Sequence, residues 1–227
     1  MRPVIAVLAS GSGTTVEAFI QAGQRGDIDT DVGLVICSRE GAGVFERIKK
    51  LNDEFGLDIE TTLINGNTHP AKDGEIVGRG AQTAAEEAAI IDRLRQGDFS
   101  LVVQMGYMKK SGKQLVHEFG WRPEYTSVYQ AHLLNTHPGL LPETKALYGE
   151  LVQRHVIDKH LPYSGQTLHV VAENYDDGPV IAEHAVAVQL GDTPESLFAR
   201  VQAMEKQKLP LDIQKFVTEQ EAYNKQQ

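Results

Sequence analysis

Apolar and polar positions switch between two periods along this chain. Val4 to Ala9 is an unbroken apolar run that ends at Ser10-Gly11-Ser12-Gly13. A continuous run of that length suits a strand covered on both faces. From Thr14 on, Val16, Phe19, Ile20 and Gly23 recur at helical spacing, and Thr14 and Glu17 have the spacing of a capping box, which predicts a helix start just after the glycines. Val32 to Cys37 is a second apolar run. Strand, glycine turn, helix and strand in this order form a βαβ unit, and its strands must pair in parallel.

The alternation continues downstream. Val44–Phe55 predicts a helix and Thr61–Ile64 a short strand. Thr83–Arg95 predicts a helix with Thr83 and Glu86 as its capping box and Gly97 as its stop. Leu101–Val103 is a strand leading into Gln104-Met105-Gly106, Ser111–Glu118 a short helix, and His132–Thr136 a strand that runs into His137-Pro138. Lys145–Lys159 reads as helical, and Gln166–Val171 and Val180–Val188 as strands. Thr193-Pro194 opens a last helix, which Pro210 must break, kink or restart. The fold class expected is α/β, Rossmann-like, a mostly parallel sheet with helices on both faces. The stretch 65–82 is polar and longer than most connections, so it is a lid or an insertion. No linker is visible, so residues 1–218 are expected to form one domain, with 219–227 as a frayed tail.

Composition narrows the functional classes. The chain has 227 residues, 31 acidic and 22 basic, for a net charge of −9. That balance argues against general nucleic-acid binding. The single Cys37 has no partner for a disulfide and rules out a Cys-rich zinc site. No apolar run approaches the ~18–20 residues of a membrane helix. The apolar start is short for a signal peptide and reads better as a strand, so a cytoplasmic protein without a membrane partner is the expectation, as a monomer or homodimer.

Ligands of open α/β sheets bind at the carboxyl ends of the strands, and three features fall there. Gly11-Ser12-Gly13-Thr14-Thr15 offers backbone N–H groups and hydroxyls at a helix start, which suits an anion or simply a tight turn. It lacks the lysine of a P-loop and the third glycine of a dinucleotide fingerprint. Asn135 and His137 lie two apart at a strand end and so face the same way. An amide donor beside an imidazole suits acyl chemistry, although such a pair also occurs in ordinary loops. Asp176-Asp177-Gly178-Pro179 is an ordinary turn signal, or else a carboxylate aimed back at His137. His69, His117, His155 and His160 read as solvated; His169 and His184 are either core or site-lining residues; Cys37 reads as buried and inert. No metal-ligand spacing is present.

In this order the features resemble the phosphoribosylglycinamide formyltransferase family over about Val4 to Pro210. The most specific matches are Leu134-Asn135-Thr136-His137-Pro138-Gly139-Leu140-Leu141-Pro142 and Asp176-Asp177-Gly178-Pro179-Val180-Ile181. Gly11 to Thr15, Gly106-Tyr107-Met108-Lys109 and Arg200-Val201-Gln202-Ala203-Met204-Glu205 are also similar. The resemblance implies the formyltransferase fold and direct formyl transfer from 10-formyltetrahydrofolate, a co-substrate, to the amine of glycinamide ribonucleotide, without a metal. It implies that Asn135 holds the formyl oxygen, His137 moves protons and Asp176 orients it. Gly11, Ser12, Gly13, Thr14, Thr15 and Glu205 would hold the ribonucleotide. Met105, Gly106, Tyr107, Met108, Lys109, Asn174 and Tyr175 would line the folate site.

The chain departs from the family pattern at Glu143 to Gly149, at Lys110-Ser111, in a longer Trp121 to Ala131, and at Asp177, where a glycine is usual. The resemblance implies that related hydrolases carry an extra N-terminal domain and initiator-tRNA formyltransferases a C-terminal one; with the first strand at Val4, neither is expected here, and the −9 charge weighs against a tRNA acceptor. An amino-sugar nucleotide acceptor stays open, as does a non-catalytic nucleotide-binding module. A dinucleotide-dependent oxidoreductase is disfavoured, because no acidic residue ends the second strand.

Overall fold

A computed structural model describes residues 2–227. The strands are β1 (Val4–Ala9), β2 (Asp31–Cys37), β3 (Glu60–Leu63), β4 (Leu101–Gln104), β5 (Leu133–His137), β6 (Tyr163–Val170) and β7 (Val180–Ala187). The helices are α1 (Thr14–Arg25), α2 (Gly43–Phe55), α3 (Ala84–Arg95), α4 (Lys113–Phe119), α5 (Glu150–Asp158) and α6 (Pro194–Asn224). One sheet of seven strands runs β3-β2-β1-β4-β5-β6-β7. The pairs from β3 to β5 are parallel, whereas β6 and β7 join antiparallel. The order reverses between β1 and β4, the usual place for a ligand crevice.

Period-2 alternation divides the core. Ile5, Val7, Val35 and Leu134 pack with Val16, Phe19, Ile48 and Phe216 from α1, α2 and α6. Ala6, Leu8, Ile36 and Leu133 pack with Ile90, Leu94 and Leu115 from α3 and α4. Helices α1, α2, α3, α4 and α6 bury their apolar stripes against one face or the other of the sheet, which is the main source of their stability.

Local chemistry departs from expectation in three places and matches it in one. The predicted box at the start of α1 does not form. Gly13 is the N-cap at φ 75° with no side-chain cap, and Glu17 instead binds the Arg47 guanidinium at 2.5 Å. A Cβ at Gly13 would also lie 2.6 Å from Val44 Cγ2, so this turn requires glycine. The Thr83–Glu86 box at α3 forms as expected, and the helix is capped at Gln96, directly before Gly97. The helix expected from Lys145 begins only at Glu150. Ala146 and Gly149 have positive φ, and the Ala146 N–H is drawn off to Asp176, so no helical turn can close there. Finally, α6 runs through Pro210 and on to Asn224, so the expected frayed tail from residue 219 is wrong for most of its length. Gln220 is buried and its amide donates to the carbonyls of Tyr129 and Ala131, which fastens the last turns of the helix.

Candidate active site

β5 sends alternate side chains to opposite faces. Asn135 and His137 lie on the face of α3 and α4 with Leu133, and Thr136 lies on the α1 and α6 face with Leu134. The antiparallel register with β6 sets His169 opposite Asn135 and Thr167 opposite His137. Asp176 arrives from the loop between β6 and β7 with φ 54°. Its side chain is only 2% exposed, with Oδ2 3.8 Å from His137 Nδ1 and Oδ1 3.6 Å from His169 Nε2. Those gaps exceed a direct hydrogen bond, so the carboxylate acts on the imidazoles through its charge. The Ala146 N–H donates to Oδ2 at 3.0 Å and holds it in place. Asn135, His137 and Asp176 therefore converge on one site, joined by His169.

Burial dominates the electrostatics. It pushes the His137 imidazole below its ordinary value, against the pull of Asp176, and His169 pushes the same way. His169 is also lowered, chiefly by burial, with the Val170 carbonyl and Asp176 opposing. Both rings are thus neutral near pH 7. The Val170 carbonyl, which can only accept, lies 3.0 Å from His169 Nδ1, so that nitrogen carries the hydrogen. His169 Nε2 is then an acceptor, and the Asn135 amide donates to it at 3.0 Å. Asn135 has a second Nδ2 hydrogen, and it stays free for another acceptor.

The opposite face of β5 holds a second polar group. Thr136 Oγ1 donates to Glu205 Oε1 at 2.6 Å, and Thr15 Oγ1 to Glu205 Oε2 at 3.4 Å. Burial raises the Glu205 carboxyl, and the two threonine bonds oppose the rise. Glu205 thus bridges the glycine turn and β5. In that turn the first helical bond runs from the Glu17 N–H to the Gly13 carbonyl. The N–H groups of Thr14, Thr15 and Val16 precede it and have no partner within the helix. The Ser12 carbonyl accepts from Arg47 Nε at 2.9 Å, which brings a guanidinium beside the turn.

The remaining expected residues spread over the mouth of the sheet. Met105 is core, and Gly106 turns the chain at φ 69°. Tyr107 is buried, its hydroxyl accepting from Gln82 Nε2 at 2.9 Å, and its pKa is raised by burial. Met108 is exposed, while the Lys109 ammonium pairs with the buried Glu86 carboxylate. Asn174 is exposed and Tyr175 borders two cavities. One of these, about 20 Å³ between Gln104, Ser111, Asn135, His169 and Asp176, has room for about one water molecule. A much larger cavity, about 980 Å³, lies beyond the polar cluster, between Ile91, Val116, Trp121 and Asn174. No group of three or more metal-ligating side chains occurs among the described residues, and no helix there is long and apolar enough to cross a membrane.

The sequence pattern of the family described as Formyl transferase matches residues 4–213, nearly the whole chain. The chain belongs to the formyl transferase family. A phosphoribosylglycinamide formyltransferase of Bacillus subtilis is 27% identical over 212 residues, covering 93% of each chain. The chloroplastic enzyme of that name from Arabidopsis thaliana is 29% identical over 214 residues, and the match spans 93% of this chain but 64% of that protein. The crystal structure of phosphoribosylglycinamide formyltransferase from Bacillus halodurans is 30% identical, with a TM-score of 0.75 and coverage of 94% and 95%. Glycinamide ribonucleotide transformylase 1 from Symbiobacterium toebii is 30% identical, with a TM-score of 0.77 and coverage of 95% and 88%. The formyltransferase fold expected from the sequence is thus established.

Three residues of this formyl transferase carry site geometry that no motif announced. His169 joins Asn135 to Asp176, but only the β5–β6 register reveals it. Thr144 lies 3.0 Å from His137 Nε2, just before the helix that the sequence predicts from Lys145. Arg47 reaches the glycine turn from α2, and nothing in its own sequence neighbourhood signals that contact.

Proposed function

We propose that this chain transfers the formyl group of 10-formyltetrahydrofolate to the amine of glycinamide ribonucleotide. The observation that carries the reading is the buried convergence of Asn135, His137 and Asp176 at the carboxyl end of β5 in a member of this family. The folate supplies the one-carbon unit, and the chain supplies the electrostatics. The free Nδ2 hydrogen of Asn135 donates to the formyl oxygen as the attacking amine turns it into an oxyanion. Donors aimed at such a charge are worth ~10²–10³-fold in rate. His137 is neutral in the resting state, so it can take the proton that the amine loses. Asp176 stabilises the imidazolium that results. The amine attacks directly; as the oxyanion collapses, the carbon–nitrogen bond to the folate breaks and that nitrogen leaves with the proton His137 took up, so no covalent enzyme intermediate is needed.

The acceptor fits the other face of β5. The Gly11–Thr15 turn offers N–H groups and hydroxyls to a phosphate, and Glu205 offers carboxylate oxygens to hydroxyls of a ribose. Met105 to Lys109, Asn174 and Tyr175 surround the folate. Beside the cavity of about 20 Å³ at Asn135, a cavity of about 350 Å³ bordered by Tyr107, Met108 and Tyr175 offers the larger space for this ligand. The placement of Glu205 favours a phosphorylated ribose over an amino sugar as acceptor. The test is to supply purified protein with 10-formyltetrahydrofolate, with and without glycinamide ribonucleotide, and with amino-sugar nucleotides in parallel. Consumption only with the ribonucleotide supports the reading. Turnover without an amine indicates a hydrolase, and no turnover with any amine a binding module.

A further inference from the structure

We propose that Thr144 is a positioning residue that holds His137 with its hydrogen on Nε2, so that Nδ1 is the nitrogen that takes up a proton. Thr144 is 1% exposed, and its Oγ1 lies 2.8 Å from the Leu140 carbonyl and 3.0 Å from His137 Nε2. A hydroxyl has one hydrogen to donate. Two oxygens 2.8 Å apart repel unless a hydrogen lies between them, and a carbonyl cannot supply it. The Thr144 hydrogen therefore points at Leu140. Its lone pairs face His137 Nε2, which must then be the donor. The neutral ring has a single N–H, so Nδ1 is left bare. This nitrogen faces Asp176 at 3.8 Å, and the titratable groups acting on the ring are Asp176 from its loop and His169 from β6. In the transfer reaction the amine N–H bond breaks, its electron pair stays on the amine nitrogen, and a bond from Nδ1 to hydrogen forms. The imidazolium then donates to Thr144 at one end and faces a carboxylate at the other.

The surroundings of Thr144 keep it there. A Cβ at Gly139 would lie 2.3 Å from Thr144 Oγ1, so only glycine leaves room for the hydroxyl. Two residues on, the Ala146 N–H holds Asp176 Oδ2, and the Lys145 ammonium pairs with Asp177. Residues 144–146 thus grip both members of the His137–Asp176 pair. They lie between β5 and α5, and their contacts with Asp176 and Asp177 fasten that segment to the loop between β6 and β7.

The consequence for catalysis rests on the formyl-transfer reading, whereas the tautomer does not, so long-range proton–nitrogen spectra of the labelled protein near pH 7 provide the first test. His137 is expected in the Nε2–H form in the wild type and in Thr144→Ser, and in a mixture or the Nδ1–H form in Thr144→Val. Kinetics provide the second. Thr144→Val is expected to lower kcat by about tenfold or more, a part of what a general base contributes, with KM for either substrate little changed. The acid limb of its kcat/KM profile should move to lower pH, because the imidazolium loses an acceptor. Thr144→Ser should restore both. An Nδ1–H ring in the wild type overturns the proposal, as does a Thr144→Val variant with unchanged kcat and pH profile. If that variant does not fold, the wild-type and serine spectra decide. An Nε2–H ring in a protein without transferase activity would overturn the transfer reading and leave the role of Thr144 in holding the ring intact.

Discussion

Replacing Asp176 with Asn removes one negative charge and little else. The side chain keeps its size, and its remaining oxygen can still accept from the Ala146 N–H. The charge sits 3.8 Å from His137 Nδ1, and both side chains are under 5% exposed, at 2% and 4%. Opposite unit charges about 4 Å apart attract by ~4 kcal/mol at the effective dielectric of roughly 20 that suits protein sites. This attraction is absent in the resting state, where burial keeps His137 neutral, and appears only as the ring accepts a proton. It therefore belongs to the transition state, and its loss should lower kcat rather than raise KM. A full loss of ~4 kcal/mol would be about three decades at 1.36 kcal/mol each, and the amide dipole offsets part of it. The expected fall in kcat is roughly 10²–10³-fold. The assay follows loss of 10-formyltetrahydrofolate at saturating ribonucleotide, with a thermal melt of the same preparation. The melt should be unchanged or slightly raised, since a buried charge has been removed. A kcat within threefold of wild type would refute the electrostatic role. A large fall in Tm with a matching loss of active protein would show that Asp176 only holds the loop.

Two further outcomes follow from the same geometry. Asn135→Ala should lower kcat by ~10²–10³-fold with little change in Tm, because it removes the donor aimed at the oxyanion; near-normal turnover would take Asn135 out of the mechanism. Stability should fall in mild acid as the buried histidines are forced to protonate, with the raised Glu205 carboxyl opposing part of the fall. His137 and His169 are held below the ordinary histidine value of 6.5, so the stability they contribute is complete above that pH and is lost as pH falls through their folded values. Urea unfolding at a series of pH values between about 7.5 and 5 should show this loss, and a steeper one in Asp176→Asn, where the imidazolium lacks its counter-charge. A flat profile in both proteins would contradict it.

Much of the sheet was legible because its strands are short, unbroken apolar runs separated by capping and glycine signals. The Thr83–Glu86 box fixed α3 to the residue. The start of α1 was placed correctly although the capping residue was not, since Glu17 found a stronger partner in Arg47 30 residues away. The first turns of the helix expected from Lys145 do not form because the tertiary hydrogen bond from the Ala146 N–H to Asp176 overrides local propensity. The end of α6 was missed because its anchor, Gln220, is polar and gives no hydrophobic signal. In the site, Asn135 and His137 were legible as a strand-end pair. His169 was left undecided, since pairing register is not written in either strand alone. Thr144 was invisible, because a threonine in a polar segment carries no mark of its partner.

The alternation along β5 has a consequence for how such a protein can diversify. Asn135 and His137 serve one face and Thr136 the other, where it meets Glu205 and Thr15. On the proposed function, substitutions around Thr15 and Glu205 would retune the choice of acceptor without touching the face proposed to activate a carbonyl. The same geometry forbids one kind of change. Deleting a single residue from β5 would turn every side chain over and exchange the two faces at once. Point substitutions can therefore explore new acceptors here, but insertions and deletions in this strand cannot.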